Sequence, residues 1–145
     1  RTTTNSAAQV GRLQTFRENA DVLMGVENVA VLDHRTTMFC KQIDGKIQSL
    51  DEASRPPYHF GCRTQLVPVV KPEFQDPRDS GERNAEGGKV TPNTTYGGWL
   101  KKQPVSFQDE ALGVERAALF RKGGLKLEQF VDQETGQTYT LKQLE

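Results

Sequence analysis

Both histidines and both cysteines of the chain fall within residues 33–63. Those 31 positions also hold Asp33, Arg35, Thr36, Thr37, Asp44, Gly45, Arg55 and Arg63. One chemistry for such a collection is metal binding. His59-x-x-Cys62 has ligand spacing, and Cys40 or His34 would complete a tetrahedral set of the kind zinc favours. A structural zinc site usually offers two close ligand pairs and only one is evident here. Two buried thiols and two ordinary polar histidines account for the same residues. A second chemistry is acid–base catalysis. His34 or His59 would serve as a base near neutral pH, and Arg35 or Arg63 would stabilise an anion. His, Arg and Thr without a metal are the groups RNA transesterification requires, so the catalytic candidates are His59, Arg63, Arg35, Thr36 and Asp33. The third reading is structural. Asp33, Arg35 and Arg63 would form an ion-pair and hydrogen-bond network that pins two strand ends. The chain has no glycine-rich phosphate loop, nucleophile elbow or metalloprotease motif.

A further candidate lies at Tyr96-Gly97-Gly98-Trp99-Leu100-Lys101-Lys102-Gln103. Two aromatic rings beside two lysines would suit base stacking. The plainer reading makes Trp99 and Leu100 core anchors and the lysines a solvated face. Gln103, Gln108 and Arg116 would line a site or an interface.

The elements that must position these residues follow from pattern. Ala7, Ala8, Val10, Leu13, Phe16 and Ala20 predict a helix over 4–19 with that apolar face inward, capped by Thr4, Asn5 or Ser6. Residues 26–32 read as a strand covered on both faces, because Val29-Ala30-Val31-Leu32 is continuously apolar. A short helix is expected over 36–42, a turn at Asp44-Gly45 and a short strand over 46–50. Residues 54–57 must be extended or turning at Pro56-Pro57. Residues 62–70 read as a second main strand, which Pro68 places at an edge or a bulge.

Residues 71–95 are rich in Pro, Gly, Asp, Glu, Arg and Asn, and predict a long polar loop or partly disordered insertion. Helices return with Trp99-Leu100, closed by Pro104. A second is expected through 107–112 capped by Ser106, and a third over 114–121 stopped by Gly123-Gly124. Residues 127–131 are ambiguous, 133–137 turn around Gly136, and Thr140 would cap a last helix over 141–144. The expectation is an α+β fold in a single domain: a small sheet with an N-terminal helix and a C-terminal set of short helices. Residues 1–70 form the helix and motif-bearing sheet region, 71–95 the loop, and 96–145 the C-terminal helical region.

The chain has 145 residues with 19 basic and 19 acidic side chains. The balance is also local: eight basic against seven acidic in 1–70, four against five in 71–90, and seven against seven in 91–145. No basic arm or acidic tail is present, which argues against a bulk nucleic-acid binder. No apolar run approaches the ~20 residues of a membrane helix, so no membrane partner is expected. Residues 1–145 show no signal-peptide or lipidation pattern, and a targeting signal would be expected only ahead of Arg1. The start at Arg1 rather than Met reads as a fragment or processed product. Two cysteines do not make a disulfide framework, although a Cys40–Cys62 bridge is an option, and a reducing cytosolic setting is the default.

The ordered motifs Asp33-x-Arg35-Thr36, Ile43-Asp44-Gly45, Pro56-Pro57-Tyr58-His59-x-x-Cys62-Arg63 and Pro68 resemble the Mu F-like phage head morphogenesis, or minor capsid, proteins. Arg1-Thr2 with Gly11-Arg12 is similar to that family's lead-in. Tyr96-x-x-Trp99-Leu100-x-x-Gln103, Gln108, Leu112-Gly113 and Arg116 are similar to the segment that follows its motif. The resemblance spans nearly the whole chain and points to the C-terminal domain of such a protein. It implies a minor structural protein of a tailed bacteriophage head, acting in morphogenesis at or near the portal. The implied partners are the portal and the capsid or scaffold proteins, with packaged DNA as a further contact. The implied location is the virion head, and the host cytoplasm during assembly.

Asp33, Arg35, Thr36, Asp44, Gly45, Pro57, His59, Cys62, Arg63, Trp99, Gln103, Gln108 and Arg116 would then be motif residues with architectural roles. Related domains also occur in polymorphic toxin-like proteins. The alternative is therefore a nuclease or nucleotide-transfer toxin-like enzyme delivered with the phage genome. Many members of the family carry Cys-x-x-Cys and Cys-Arg-Cys where this chain has Thr37 and Thr64, leaving Cys40 and Cys62. The paired loss implies that Cys40 and Cys62 remain neighbours as a metal site with His59 or His34, a disulfide or a thiol pair. The expected cofactor is none, with zinc the ion such a set would take.

Overall fold

The first helix, α1 (Thr2–Glu18), lies on the sheet through amides as much as through apolar groups. In the computed structural model, which describes residues 2–76 and 81–144, Gln9 is fully buried. Its Nε2 donates to Gln65 Oε1 at 2.8 Å, and Asn5 Nδ2 donates to the Cys62 carbonyl at 3.0 Å. Leu13 is the apolar residue of α1 that is buried, whereas Val10 is 47% exposed. The expected inward face is therefore rotated. The row Asn5, Gln9, Leu13 and Phe16 meets the protein at helical spacing, because the adjacent strand offers Gln65 as a hydrogen-bonding partner.

Strand β1 (Leu23–Val29) is the centre of a three-stranded antiparallel sheet, between β2 (Ile47–Gln48) and β3 (Gln65–Val70). Val26 stands opposite Gln48 on one side and Pro68 on the other. Pro68 thus sits on an outer strand, where its missing N–H costs little. β1 begins earlier and ends earlier than the sequence pattern predicts. Beyond its end Val31 is 37% exposed, so the apolar run is not covered on both faces. Leu13, Leu23, Val26, Leu50 and Leu66 form the core between α1 and the sheet.

Helix α2 (Met38–Ile43) is capped by Thr37, whose Oγ1 accepts from the Cys40 amide at 3.4 Å. Residues 71–95, expected to be a loop, carry a 3-10 turn at Pro72–Phe74 and a hairpin of β4 (Arg83–Ala85) and β5 (Gly88–Val90). Residues 77–80 of that expected loop lie outside the described residues. The hairpin forms because Glu86 N donates to Leu32 O at 2.7 Å and Ala85 bridges Leu32 in parallel. A tertiary partner supplies what short polar strands lack.

Helices α3 (Tyr96–Lys101), α4 (Val105–Leu112), α5 (Val114–Lys122) and α6 (Leu141–Leu144) follow, with a 3-10 turn at Leu127–Phe130 in the ambiguous stretch. Thr95 caps α3, accepting from Gly98 N at 3.3 Å. Ser106 lies inside α4 rather than capping it, because Pro104 sets the extended entry. Tyr96, Trp99, Leu100, Leu112, Phe120 and Phe130 form the largest core with Leu32. Trp99 meets Tyr96 and Phe107 edge to face, each at 5.4 Å. Each such buried side chain contributes about 1.5–3 kcal/mol. The architecture is α+β, with helices and a small antiparallel sheet in one domain. Among the described residues no helix is long and apolar enough to cross a membrane.

Candidate functional site

A third, smaller core joins Ala30 from the end of β1, Cys40 from α2 and Cys62 from the turn before β3. That turn is His59-Phe60-Gly61-Cys62, closed by Cys62 N donating to His59 O at 3.2 Å. Gly61 has φ 71°, the left-handed conformation a type II turn requires at its third residue. The turn brings His59 back over Cys40. His59 Nε2 lies 3.2 Å from Cys40 Sγ and 3.0 Å from Thr37 Oγ1. Its Nδ1 lies 2.9 Å from the Phe60 carbonyl, which can only accept, so Nδ1 is the donor there and Nε2 is the nitrogen turned toward Thr37 and Cys40.

The two sulfurs are 3.8 Å apart and unbonded. Cys40, His59 and Cys62 place their ligand atoms within 4.8 Å of one another, so this group could hold a metal ion. Two sulfurs bound tetrahedrally at about 2.3 Å from zinc would stand about 3.8 Å apart. The Nδ1 hydrogen bond to a carbonyl is also the usual support for a histidine ligand. The thiols titrate as a pair. A hydrogen bond from Cys40, with further help from backbone amides, lowers Cys62, while the same bond and burial raise Cys40. Loss of the first proton is eased and loss of the second is suppressed. His34 does not join them. Its Nδ1 lies 2.9 Å from Glu86 on the hairpin and its Nε2 3.7 Å from Glu110 on α4. The expectation of His34 as a ligand is therefore corrected.

Asp33 organises the neighbouring loop. Its carboxylate accepts the amides of Arg35 and Thr36 at 3.0 Å each, an Asx-type turn. It also accepts both arms of Arg63, at 2.6 and 2.9 Å. Burial pushes its pKa up, but Arg63, Thr36 and the Arg35 amide outweigh that and hold it below the usual carboxylate value. Thr36 Oγ1 donates to the Val31 carbonyl at 2.6 Å. Arg35 is exposed, and its guanidinium has no partner among the described residues.

Arg35, Thr36, Thr37, Cys40, His59, Cys62 and Arg63 border one open groove of about 820 Å³. Asp33 sits behind Arg63 and does not line it. The five catalytic candidates are thus neighbours, but Thr36 and Asp33 are engaged in holding the loop.

Asp44 and Gly45 form the expected turn, with Gly45 at φ 81°. The Asp44 side chain is also wholly buried and takes more than a turn residue's share of bonds. It accepts Ala30 N and Tyr96 N at 2.7 Å each, and both arms of Arg83 at 2.7 and 2.9 Å. Arg83 also donates to the carbonyls of Thr94, at 2.6 Å, and of Ala30. Sequence reasoning missed Arg83, because one cation in a polar stretch carries no pattern. It also missed Gly61, although glycine before Cys62 was a readable turn signal.

The remaining candidates lie in turns, in the core and at helix ends. The Pro56–Pro57 peptide is cis and Pro56 is buried. Trp99 is in the core, and Lys101 lies over the Phe120 ring at 5.9 Å rather than beside a free aromatic face. Gln108 Nε2 donates to the carbonyls of Leu100 and Gln103, at 3.0 and 3.1 Å, closing the end of α3. Gln103 donates to Trp99 O at 3.3 Å and Arg116 to Tyr139 O at 3.1 Å. No family model matches the chain, and no curated protein or solved structure does.

Proposed function

We propose that this chain is a minor structural protein of a tailed bacteriophage head, acting in head morphogenesis at or near the portal. What supports the reading is the employment of the motif residues on which the resemblance rests. Asp33 binds both Thr36 and Arg63, Thr36 binds the Val31 carbonyl just past β1, and Asp44 binds four N–H groups from three segments. A motif that holds a fold together suits a protein whose product is an assembly. The zero net charge suits contacts with portal and capsid or scaffold proteins more than extended contact with packaged DNA. Its place would be the virion head, reached through assembly in the host cytoplasm. Purified heads would contain this chain, and the purified chain would form a stable complex with the portal or capsid protein. Heads that lack it would sink the proposal.

One observation favours a second reading. Arg35, His59 and Arg63 border a single open groove, as a nuclease or nucleotide-transfer enzyme would need. Incubation with RNA and DNA beside a His59→Ala variant tests it. Cleavage lost in the variant supports an enzyme, and no cleavage by either protein removes the idea.

The donor set also points to a finer reading of the cysteine–histidine group, namely that its ion is zinc. Two thiolates and an imidazole suit zinc better than calcium or magnesium, which favour oxygen ligands. Stoichiometric zinc in protein purified without chelator would support this, and a Cys62→Ser variant should lose it.

A further inference from the structure

The metal group is incomplete by one ligand, and its surroundings say what would complete it. Among the described residues no fourth His, Cys, Asp or Glu joins Cys40, His59 and Cys62. All three border the same open groove, which a small ligand can enter. The nearest further side chain at His59 Nε2 is the Thr37 hydroxyl, a poor partner for zinc beside a thiolate. The charges around the groove are uneven. A divalent ion is neutralised by the two thiolates. Arg63 is largely matched by Asp33, while the Arg35 guanidinium is exposed and unpaired among the described residues. An incoming ligand therefore meets a neutral metal centre in a groove that Arg35, unmatched among the described residues, also borders.

Resting on the reading of this group as a metal centre, we infer that the site keeps its fourth coordination position open and that this position takes a small monodentate anion, with Arg35 as its second contact. The site is then one that binds an external ligand rather than a closed structural staple. A metal with three protein ligands keeps an exchangeable position, and that is the arrangement of zinc sites that handle ligands. Arg35 adds electrostatic attraction without touching the protein ligands. The Nδ1 bond to the Phe60 carbonyl holds the imidazole in place while the fourth ligand exchanges.

Cobalt(II) in place of zinc reports both levels separately. The purified chain is loaded with one cobalt per protein, and its visible d–d and thiolate-to-cobalt bands are recorded during titration with thiocyanate. The expected result is a saturable change in the d–d bands with the thiolate bands retained. Arg35→Gln, an exposed substitution, should bind cobalt unchanged and bind thiocyanate about five-fold more weakly. Bands that do not respond to thiocyanate would mean that a protein group fills the fourth position, and would overturn the inference while leaving the metal reading intact. Equal thiocyanate affinity in Arg35→Gln would overturn the role of Arg35. No thiolate-to-cobalt bands at all would remove the metal reading and this inference with it.

Discussion

Asp33 and Asp44 each receive an arginine fork, yet they carry different loads. The Asp44 side chain is fully buried and that of Arg83 is 11% exposed, against 17% and 40% for Asp33 and Arg63. Arg83→Ala would leave a buried carboxylate without its cation, and should cost about 3–5 kcal/mol in urea unfolding. Arg63→Ala, at the more exposed pair, should cost about 1 kcal/mol or less. The Asp33 carboxyl is held below its unfolded value, so its contribution is fully present above the ordinary carboxylate pKa and is lost as pH falls through the depressed folded value. Stability measured from neutral pH downward should therefore fall more steeply below about pH 4 in the native protein than in Asp33→Asn. The Asp33–Arg63 pair was legible, because both residues flank expected strand ends. The Asp44–Arg83 pair was not, because chain spacing says nothing about which distant cation reaches a buried acid.

Element boundaries depended on partners more than on propensity. Among the C-terminal helices the Gly123 stop of α5 was readable, whereas the Ser106 cap was not borne out, and the short helix expected over 36–42 is present as α2 with Thr37 as its cap. β1 shifted because its pairing with β3 runs from Leu23 to Val29, and a continuous apolar run does not reveal where a partner strand ends. The hairpin of β4 and β5 escaped prediction because its strands are polar and owe their order to the Leu32 backbone. Two glycine substitutions probe this scale. A Cβ at Gly25 would stand 2.5 Å from the Gln48 carbonyl oxygen, so Gly25→Ala should push β2 off β1 and cost about 1–3 kcal/mol. At Gly11, inside α1, a Cβ meets nothing within 4 Å. Gly11→Ala should raise stability by about 0.5–1 kcal/mol through helix propensity alone. Thermal and urea unfolding of both variants measures the opposite signs.

At the scale of the molecule, three apolar cores draw on β1 and the residues that follow it: Leu23 and Val26 in one, Ala30 in another and Leu32 in the third. The α+β class was readable because it follows from the order of patterned segments. The convergence of Cys40, His59 and Cys62 was readable only as a shortlist, since His34 had equal standing by sequence and tertiary contacts drew it to Glu86 instead. Zinc at 100 times its dissociation constant should add about 2.7 kcal/mol of stability, which a chelator would remove. The buried carboxylate of Asp44 carries a separate consequence. It accepts the amides of Ala30, at the end of the sheet, and Tyr96, at the start of the C-terminal helices. Two amides far apart in the chain thus depend on the two oxygens of one carboxylate, and displacing that carboxylate releases both. Deuterium should enter both amides at one common, slow rate set by whole-chain opening, and Arg83→Ala should accelerate the two together. One side chain then makes the sheet and the helical region keep the same clock.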